Sequence, residues 1–294
     1  TEDGNGRNVA VGKGALQSQN AGAEAYNIAI GYNTGLDVST GTENVLIGGN
    51  TGVALTTGIR NVAIGHNALG AEDGHGYNVA VGNRTLQNLN VGAEGYNTAV
   101  GNQAGQAMTT GVQCTLVGSY AGDALTTGHY NVAVGAYALS SEDTGKGNVA
   151  IGRQALATLD AGADAYNVAV GYYAMQAATT GTYNTAIGGY AGDAITTGNY
   201  NVAIGGNALS AEDAHSYNTA VGYNALRLQN AGADAYNVAL GYNAGENIST
   251  GTSNVLLGSQ AGDALTTGSH NVAIGRGALG GEDGDGRNVA VGHE

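Results

Sequence analysis

Carboxylates are the most numerous chemically active side chains in this sequence, and they recur at fixed positions. They form the pairs Glu2-Asp3, Glu72-Asp73, Glu142-Asp143, Glu212-Asp213 and Glu282-Asp283, and they stand singly at Glu24, Glu94, Asp164, Asp234, Asp123, Asp193 and Asp263. Two carboxyl groups that face one another can hydrolyse a glycosidic bond. A catalytic site is singular, however, whereas each of these acids has equivalent copies. We therefore predict solvated turn acids, no catalytic residues and no enzymatic activity.

Metal ligands and cofactor-binding motifs are the next candidates. The loop from Glu282 to Gly286 combines clustered oxygens with glycine turns, as a calcium site would require. Its equivalents do not keep the pattern, because Asp285 is replaced by Asn5, His75, Gly145 and His215. The six histidines form no paired-histidine spacing with one another or with Cys114 that would indicate a zinc site. We expect no metal ion, no cofactor-binding residues and no cofactor.

The elements that carry these residues are set by a recurring motif, Asn-Val-Ala-Val/Ile-Gly. The motif begins at Asn8, Asn27, Asn44, Asn61, Asn78, Asn97, Cys114, Asn131, Asn148, Asn167, Asn184, Asn201, Asn218, Asn237, Asn254, Asn271 and Asn288. The spacings 19, 17, 17 and 17 repeat four times, which gives super-repeats 1–70, 71–140, 141–210 and 211–280 and a partial one, 281–294. They align without insertion, deletion or linker. The sequence therefore predicts one repetitive domain, 1–294.

Each motif places β-branched residues at alternating positions between glycines, which predicts a short strand. A second short apolar segment, as in Asn67-Ala68-Leu69, predicts a weaker strand, and Thr56-Thr57-Gly58 is typical of the turn that follows. Strand, turn, weaker strand and turn in 17 or 19 residues make one coil of a parallel β-solenoid. The predicted fold class is all-β, a single continuous parallel β-solenoid or β-roll of about 17 coils.

Neither face of the predicted strand carries charge. Val9 and Val11 share one face, and Asn8, Ala10 and Gly12 share the other, because side chains alternate across a strand. One face must fill the interior, and the sequence leaves open which. The other would be a long apolar stripe, which monomeric proteins seldom expose. We therefore expect the chain to associate with copies of itself, as a parallel homotrimer or a filament.

The asparagine that opens the motif is present in sixteen of seventeen copies. Stacked asparagines can pass amide hydrogen bonds from coil to coil, which predicts an asparagine ladder. The alternative is that these residues only start turns, where asparagine tolerates unusual backbone angles. Cys114 takes one position of the ladder, and we predict a small buried filler rather than a reactive thiol.

Charge and hydropathy exclude several classes of partner. The net charge is −14 with only nine Lys and Arg, so we expect no binding to nucleic acid, whose phosphates need basic residues. The apolar runs are too short to cross a bilayer, and we expect no membrane insertion.

The seventeen tyrosines flank the motif, and none lies inside it. They stand immediately before its first residue or one to two residues after its glycine. Rows of such rings could stack on sugars, and the alternative is that they cover the ends of a narrow core.

The repeated motif, as in Asn184 to Gly188 with its following Gly-Tyr-Ala-Gly, resembles the head repeats of trimeric autotransporter adhesins and the repeats of bacteriophage tail-fibre proteins. The resemblance covers the whole chain, and the 17/19 spacing is closer to the tail fibres. It implies a left-handed parallel β-roll of three chains, displayed on a virion or cell surface.

The function expected from the sequence is therefore a non-enzymatic extracellular structural fibre or adhesin shaft. The alternative is a multivalent glycan-binding surface that uses the tyrosines. An ice-binding surface that uses regular threonine columns is a further alternative, which the sequence favours less because the Thr-Thr-Gly pairs occur mainly at two of the four coil positions.

Overall fold

The computed structural model describes residues 6–22, 24–281 and 286–293. As predicted, the chain is all-β and forms a parallel β-solenoid with turns of about 17 residues. Two compact units divide it, Thr1–Gly147 and Asn148–Glu294. The strands of the first unit are β1 (Val9–Val11), β2 (Ile28–Ile30), β3 (Val45–Ile47), β4 (Val62–Ile64), β5 (Val79–Val81), β6 (Thr98–Val100), β7 (Thr115–Val117) and β8 (Val132–Val134). Those of the second are β9 (Val149–Ile151), β10 (Val168–Val170), β11 (Thr185–Ile187), β12 (Val202–Ile204), β13 (Thr219–Val221), β14 (Val238–Leu240), β15 (Val255–Leu257), β16 (Val272–Ile274) and β17 (Val289–Val291).

Within each unit, every strand pairs in parallel with the next one along the chain. The pairing joins equivalent motif residues, as in Ala63 with Ala80 in the first unit and Ala203 with Ala220 in the second. Strands in a sheet lie roughly 4.8 Å apart, so equivalent side chains of successive coils form columns at that spacing. No helix among the described residues is long and apolar enough to span a bilayer.

The interior face of the strand is the one that carries the central alanine or leucine. From β2 to β16 this residue is buried, as for Leu46 and Ala63, while flanking residues such as Val62 and Ile64 are half-buried or exposed. The structure thereby settles the question that the sequence left open. Valine and isoleucine of the motif face outward, and alanine, asparagine and glycine face the interior.

The prediction of a second, weaker strand in each coil is wrong. The segment after the motif glycine consists of tight turns in which every second residue has positive φ, for example Asn50 at 52° and Gly52 at 54°. A coil with only a three-residue strand must reverse direction within a few residues, and left-handed residues provide that curvature. The backbone still bonds to both neighbouring coils, from Asn50 N–H to the Tyr32 carbonyl (2.8 Å) and from Gly52 N–H to the Ala68 carbonyl (3.0 Å).

The motif glycine is required by the close approach of successive coils. Gly101 has φ of 144°, and a Cβ there would lie 2.3 Å from the carbonyl oxygen of Gly118 in the next coil. A side chain would therefore both strain the backbone and collide with a neighbour that is itself backbone.

The asparagine column joins successive coils, as predicted, but most of its bonds go to the backbone. Asn184 donates its backbone N–H to Oδ1 of Asn167 (2.9 Å), and its own Oδ1 accepts from the backbone of Asn201 (2.8 Å). Its Nδ2 donates to the carbonyl of Gly198 (2.7 Å), the turn that closes the same coil. Amide-to-amide bonds occur in some coils, for example from Asn97 to Asn78 (3.2 Å). An asparagine such as Asn184 thus closes its own coil and fixes the next.

Candidate functional site

The outward side of the strands is an uncharged and mostly apolar surface in each unit, with threonines at a few positions such as Thr98 and Thr185. We define the strand face as the second and fourth residues of every motif. In the second unit from β10 to β16 it consists of Val168, Val170, Thr185, Ile187, Val202, Ile204, Thr219, Val221, Val238, Leu240, Val255, Leu257, Val272 and Ile274. None of these residues is charged. Several are well exposed, with Ile187 at 40% and Leu240 at 51%.

A row of tyrosine rings runs along the second unit. We define the tyrosine column as the residues that immediately precede each motif. Tyr166, Tyr183, Tyr200, Tyr217 and Tyr236 stack in succession, with ring centroids 5.0–5.4 Å apart. The last three ring pairs are almost parallel, at 2–8°. Each ring is about half exposed. The parallel arrangement follows from the repeat, because the coil rise is close to the distance of an offset stack.

In the first unit the same column is mixed. Tyr77 stacks on Tyr96 at 5.1 Å, and the guanidinium group of Arg60 lies 5.6 Å from the Tyr77 ring centroid. Arg60 also forms an ion pair with Glu43 at 2.8 Å and donates to the Tyr77 hydroxyl at 2.9 Å. The charge of this arginine is compensated, because the side chain is exposed to solvent and paired with a glutamate. The pair with Arg60 lowers the pKa of Glu43.

Column residues have an unusual backbone. Tyr200 has φ of 58°, and Tyr217 of 66°, in the left-handed region that a tyrosine seldom adopts. The conformation costs energy at every coil, and ring stacking along the column offsets part of it. Tyrosine at this position therefore contributes to the turn of the coil through its backbone conformation, and to the surface through its ring.

The prediction of solvated turn acids is wrong for three glutamates. Glu72, Glu142 and Glu212 are fully buried, whereas Glu94, Asp164 and Asp234 are exposed. The predicted acids at Glu2, Asp3, Glu282, Asp283 and Asp285 lie outside the described residues.

The buried glutamates occupy a core position of the coil, the twelfth residue counted from the motif asparagine. Glu72 takes the position that Leu55 and Leu89 hold in the coils on either side, and both leucines are fully buried. Its Oε1 accepts the backbone N–H of His75 at 3.1 Å. Burial raises the pKa of Glu72 and, in the second unit, of Glu212. The segment Glu72-Asp73-Gly74 has the composition of a turn. Its glutamate is recognised as a core residue only when successive coils are aligned, because leucines occupy the same position in the neighbouring coils.

Asp123 and Asp193 are also less solvated than predicted. Each is half-buried, and Oδ1 of each carboxylate is shielded and has no hydrogen-bond partner among the described residues. Burial raises the pKa of both carboxyl groups. These two acids therefore destabilise the folded chain slightly when they are ionised.

Cys114 is buried, in keeping with the predicted filler. Its backbone N–H donates to Oδ1 of Asn97 (3.0 Å), as an asparagine would, and its thiol lies 3.5 Å from the Gly128 carbonyl. Burial raises the pKa of the thiol to about 11. The thiolate, which is the reactive form, is thus scarce at neutral pH.

His75 and His215 are candidate functional residues that the sequence pattern did not indicate. They occupy the same position of the super-repeat, 140 residues apart, and each follows a buried glutamate by three residues. The structure brings each histidine together with the adjacent Glu-Asp pair. No protein-family model matches the chain, and no curated protein is similar to it.

Proposed function

We propose that this chain is a non-enzymatic structural component of an extracellular fibre, built from parallel copies of the chain that associate through the strand face as a homotrimer. The observation that carries the proposal is the strand face itself, which is uncharged, mostly apolar and repeated in every coil of each unit.

The partial exposure of this face favours association of the chain. Ile187, Leu240 and Val100 are 37–51% exposed, and burial of apolar surface contributes roughly 25 cal/mol per Å². One such side chain gains little, but the same gain recurs at two positions in every coil. Surfaces of this length and apolarity are typical of protein interfaces rather than of monomers.

The periodicity of the face favours a second copy of the chain as the partner. Its side chains project in rows at the coil spacing of roughly 4.8 Å. A partner packs tightly against such rows only if its own ridges have the same spacing. Another copy of this chain has that spacing by construction. The resemblance to tail-fibre and adhesin repeats supports the same conclusion, together with display at a virion or cell surface.

Sedimentation equilibrium tests the proposal. We expect the wild-type chain to sediment as an oligomer of the 29.0 kDa protomer and the double variant Ile187→Lys/Leu240→Lys to sediment as a folded monomer. Leu228→Lys is the matched control, because Leu228 is similarly exposed at 39% but lies outside the strand face. A wild-type monomer at micromolar concentration, or a double variant that assembles as well as the control, would contradict the proposal.

Multivalent glycan binding is the second candidate, and the tyrosine column is the observation in its favour. Sugars stack on ring faces, but in this column each inner ring has its faces directed at its neighbours. Ring edges and hydroxyl groups are what an inner tyrosine such as Tyr200 presents to solvent. Recognition would therefore rely on hydrogen bonds from many weak sites, and avidity would supply the strength. A glycan array read with wild type and Tyr200→Phe tests this candidate, since only binding through hydroxyl groups is weakened by the substitution.

The ice-binding alternative gains no support from the threonines. The side chains of Thr56 and Thr196 donate to the carbonyls of Asp73 and Asp213 in the next coil, both at 2.6 Å. These hydroxyl groups stabilise the stack of coils and are not directed at solvent as a regular array.

A further inference from the structure

Two turns of the chain, one in each unit, bring a glutamate, an aspartate and a histidine together. We call them the Glu-Asp-His turns: Glu72, Asp73 and His75 in the first unit, and Glu212, Asp213 and His215 in the second. In each, one ligand atom from every residue lies within 4.8 Å of the other two. The inference drawn from them is independent of the proposed fibre function.

The two turns bring the same three groups together, with different distances between the histidine and the glutamate. Nδ1 of His215 lies 2.7 Å from Oε1 of Glu212 and 3.7 Å from Oδ1 of Asp213. Nδ1 of His75 lies 3.7 Å from Oε1 of Glu72. The Nδ1 atom of His75 is shielded from solvent and has no hydrogen-bond partner among the described residues. Each Nδ1 thus faces a carboxylate oxygen of the buried glutamate, through a hydrogen bond in the second turn and without one in the first.

The glutamate of each turn needs a positive charge nearby. Glu72 and Glu212 are fully buried among core residues, and an uncompensated carboxylate in such a place is costly. The carboxylate of Glu72 accepts the backbone N–H groups of His75 and Val91, at 3.1 and 3.5 Å. That of Glu212 accepts the backbone N–H of His215 at 3.2 Å and Nδ2 of Asn218 at 3.5 Å. These neutral donors compensate each charge only in part. Because Asp73 and Asp213 add a second negative charge at the mouth of the turn, the site as a whole is strongly cation-attracting.

We propose that each Glu-Asp-His turn binds one divalent transition-metal ion, of the zinc or copper type, through Nδ1 of the histidine and the two carboxylates. An imidazole nitrogen with carboxylate oxygens is a ligand set for these ions rather than for calcium or magnesium. Three protein ligands leave at least one coordination position for water. This proposal departs from the expectation, drawn from the amino-acid sequence, that the chain binds no metal ion.

The remaining described copy of the turn lacks the imidazole. Glu142 is equally buried, but Gly145 stands where the other turns have histidine, and its N–H donates to Oε1 of Glu142 at 2.6 Å. We therefore expect two nitrogen-ligated metal ions per chain, one at each histidine-containing turn.

The experiment adds zinc chloride or copper(II) chloride to the full-length chain and measures bound metal by equilibrium dialysis, with electron paramagnetic resonance for copper. We expect His75→Asn and His215→Asn each to remove one nitrogen-ligated equivalent and the double variant to remove both. The matched control is His66→Asn, since His66 is an exposed histidine in the same coil as His75. Metal-free melting temperatures verify that the variants fold, because neither histidine is a core residue.

Three results would overturn the proposal. The first is that the wild-type chain binds no metal. The second is that the double variant keeps its nitrogen-ligated copper signal, and the third is that the His66→Asn control loses as much bound metal as His75→Asn. The last would mean that surface histidines bind the metal adventitiously. Assembly of the chain is measured separately, so failure of the metal proposal leaves the fibre proposal standing, and the reverse.

Discussion

Cys114 shows what a single residue of the asparagine column contributes. The thiol replaces the amide that donates to the closing turn at 2.7 Å from Asn184 and at 2.9 Å from Asn254, and it stands 3.5 Å from the equivalent carbonyl of Gly128. A sulfhydryl group is a weak donor and a weak acceptor, so this coil is closed less firmly than its neighbours.

We expect Cys114→Asn to stabilise the chain by about 1 kcal/mol, because it restores two buried hydrogen bonds of the column. Thermal or urea unfolding measures the change. Asn184→Ala is the opposite substitution and should cost about 2 kcal/mol or more, since it leaves buried backbone groups of Gly198 and Asn201 without partners. A destabilised Cys114→Asn would show that the cavity at this position is shaped for sulfur.

The glycines of the chain differ in whether they tolerate a side chain. We expect Gly101→Ala to destabilise the chain by about 2 kcal/mol or more, because its Cβ meets the Gly118 carbonyl and its φ is positive. Gly92→Ala is the control, as a Cβ at Gly92 has open space around it, and the change should stay within about 1 kcal/mol. Equal unfolding midpoints for the two variants would contradict the contact between successive coils.

The half-buried aspartates give a pH dependence with a definite sign. Burial raises the pKa of Asp123 and Asp193 above the ordinary aspartate value, so the folded state holds these protons more tightly than the unfolded state. Their contribution to stability is therefore greatest below the ordinary pKa and is lost as the pH rises through the raised one.

We expect Asp123→Asn/Asp193→Asn to raise the melting temperature at pH 7 and to weaken its decline between acidic and neutral pH. Melting curves of wild type and variant across that range measure the effect. Asp164→Asn is the control, because Asp164 is exposed. A profile of the double variant that matches wild type would mean that the carboxylates are solvated after all.

At the scale of elements, the tyrosine column links the surface to the fold. Tyr200 stacks on Tyr183 at 5.3 Å and on Tyr217 at 5.4 Å. We expect Tyr200→Ala to destabilise the chain by about 1 to 2 kcal/mol, since aromatic pairs contribute ~0.5–1.5 kcal/mol each beyond buried area. Tyr32→Ala is the control, because Tyr32 is 55% exposed and stacks on no other described ring. Chemical denaturation compares them, and equal losses would mean that stacking contributes nothing.

The strand and its pairing could be predicted because their signal is local. Alternation in Asn-Val-Ala-Val-Gly predicts the strand, and a constant spacing predicts its register, as in Ala63 with Ala80. The rest of the coil could not be predicted in the same way. Asn67-Ala68-Leu69 has apolar residues at strand spacing, but the small coil circumference forces Asn67 and Leu69 to positive φ instead. Compactness of the coil, which no short segment reveals, overrides local propensity there.

The candidate sites were less predictable than the fold for a related reason. Glu72 and Asp73 are neighbours in a polar, glycine-rich stretch, yet one is fully buried and the other exposed. The difference depends on which side chain of the turn points along the core column, and the stack of coils decides this. Similarly, the closeness of His75 to Glu72 follows from the path of the turn rather than from a ligand spacing.

At the scale of the whole molecule, the 70-residue super-repeat is the segment that can be deleted without changing the repeat position of the residues that follow. Deletion of residues 71–140 lies within the first unit and joins Gly70 to Ser141, which has the same repeat position as Ala71. We expect this variant to fold with a cooperative transition. Deletion of residues 62–132 is the control, because it joins Asn61 to Ala133 within a strand, and the missing residue turns Ala133 outward and Val134 inward. Circular dichroism and limited proteolysis distinguish the two, and an equally folded control would refute the fixed register.

The uniform reach of the backbone hydrogen bonds has a consequence for how the chain folds. Bonds such as Gly52 N–H to the Ala68 carbonyl close loops of one coil, and this loop length is nearly the same throughout each unit. Low contact order of this kind favours fast, zipper-like growth from any starting coil. Because the coils are nearly identical, a strand can also pair with a coil that is not its neighbour in sequence, and the chain would then misfold. A 19-residue coil differs from its neighbours by a protruding loop, as at 92–94, so a chain that skips a coil brings unequal loops together. The longer coil thus disfavours pairing of the wrong coils while the solenoid forms.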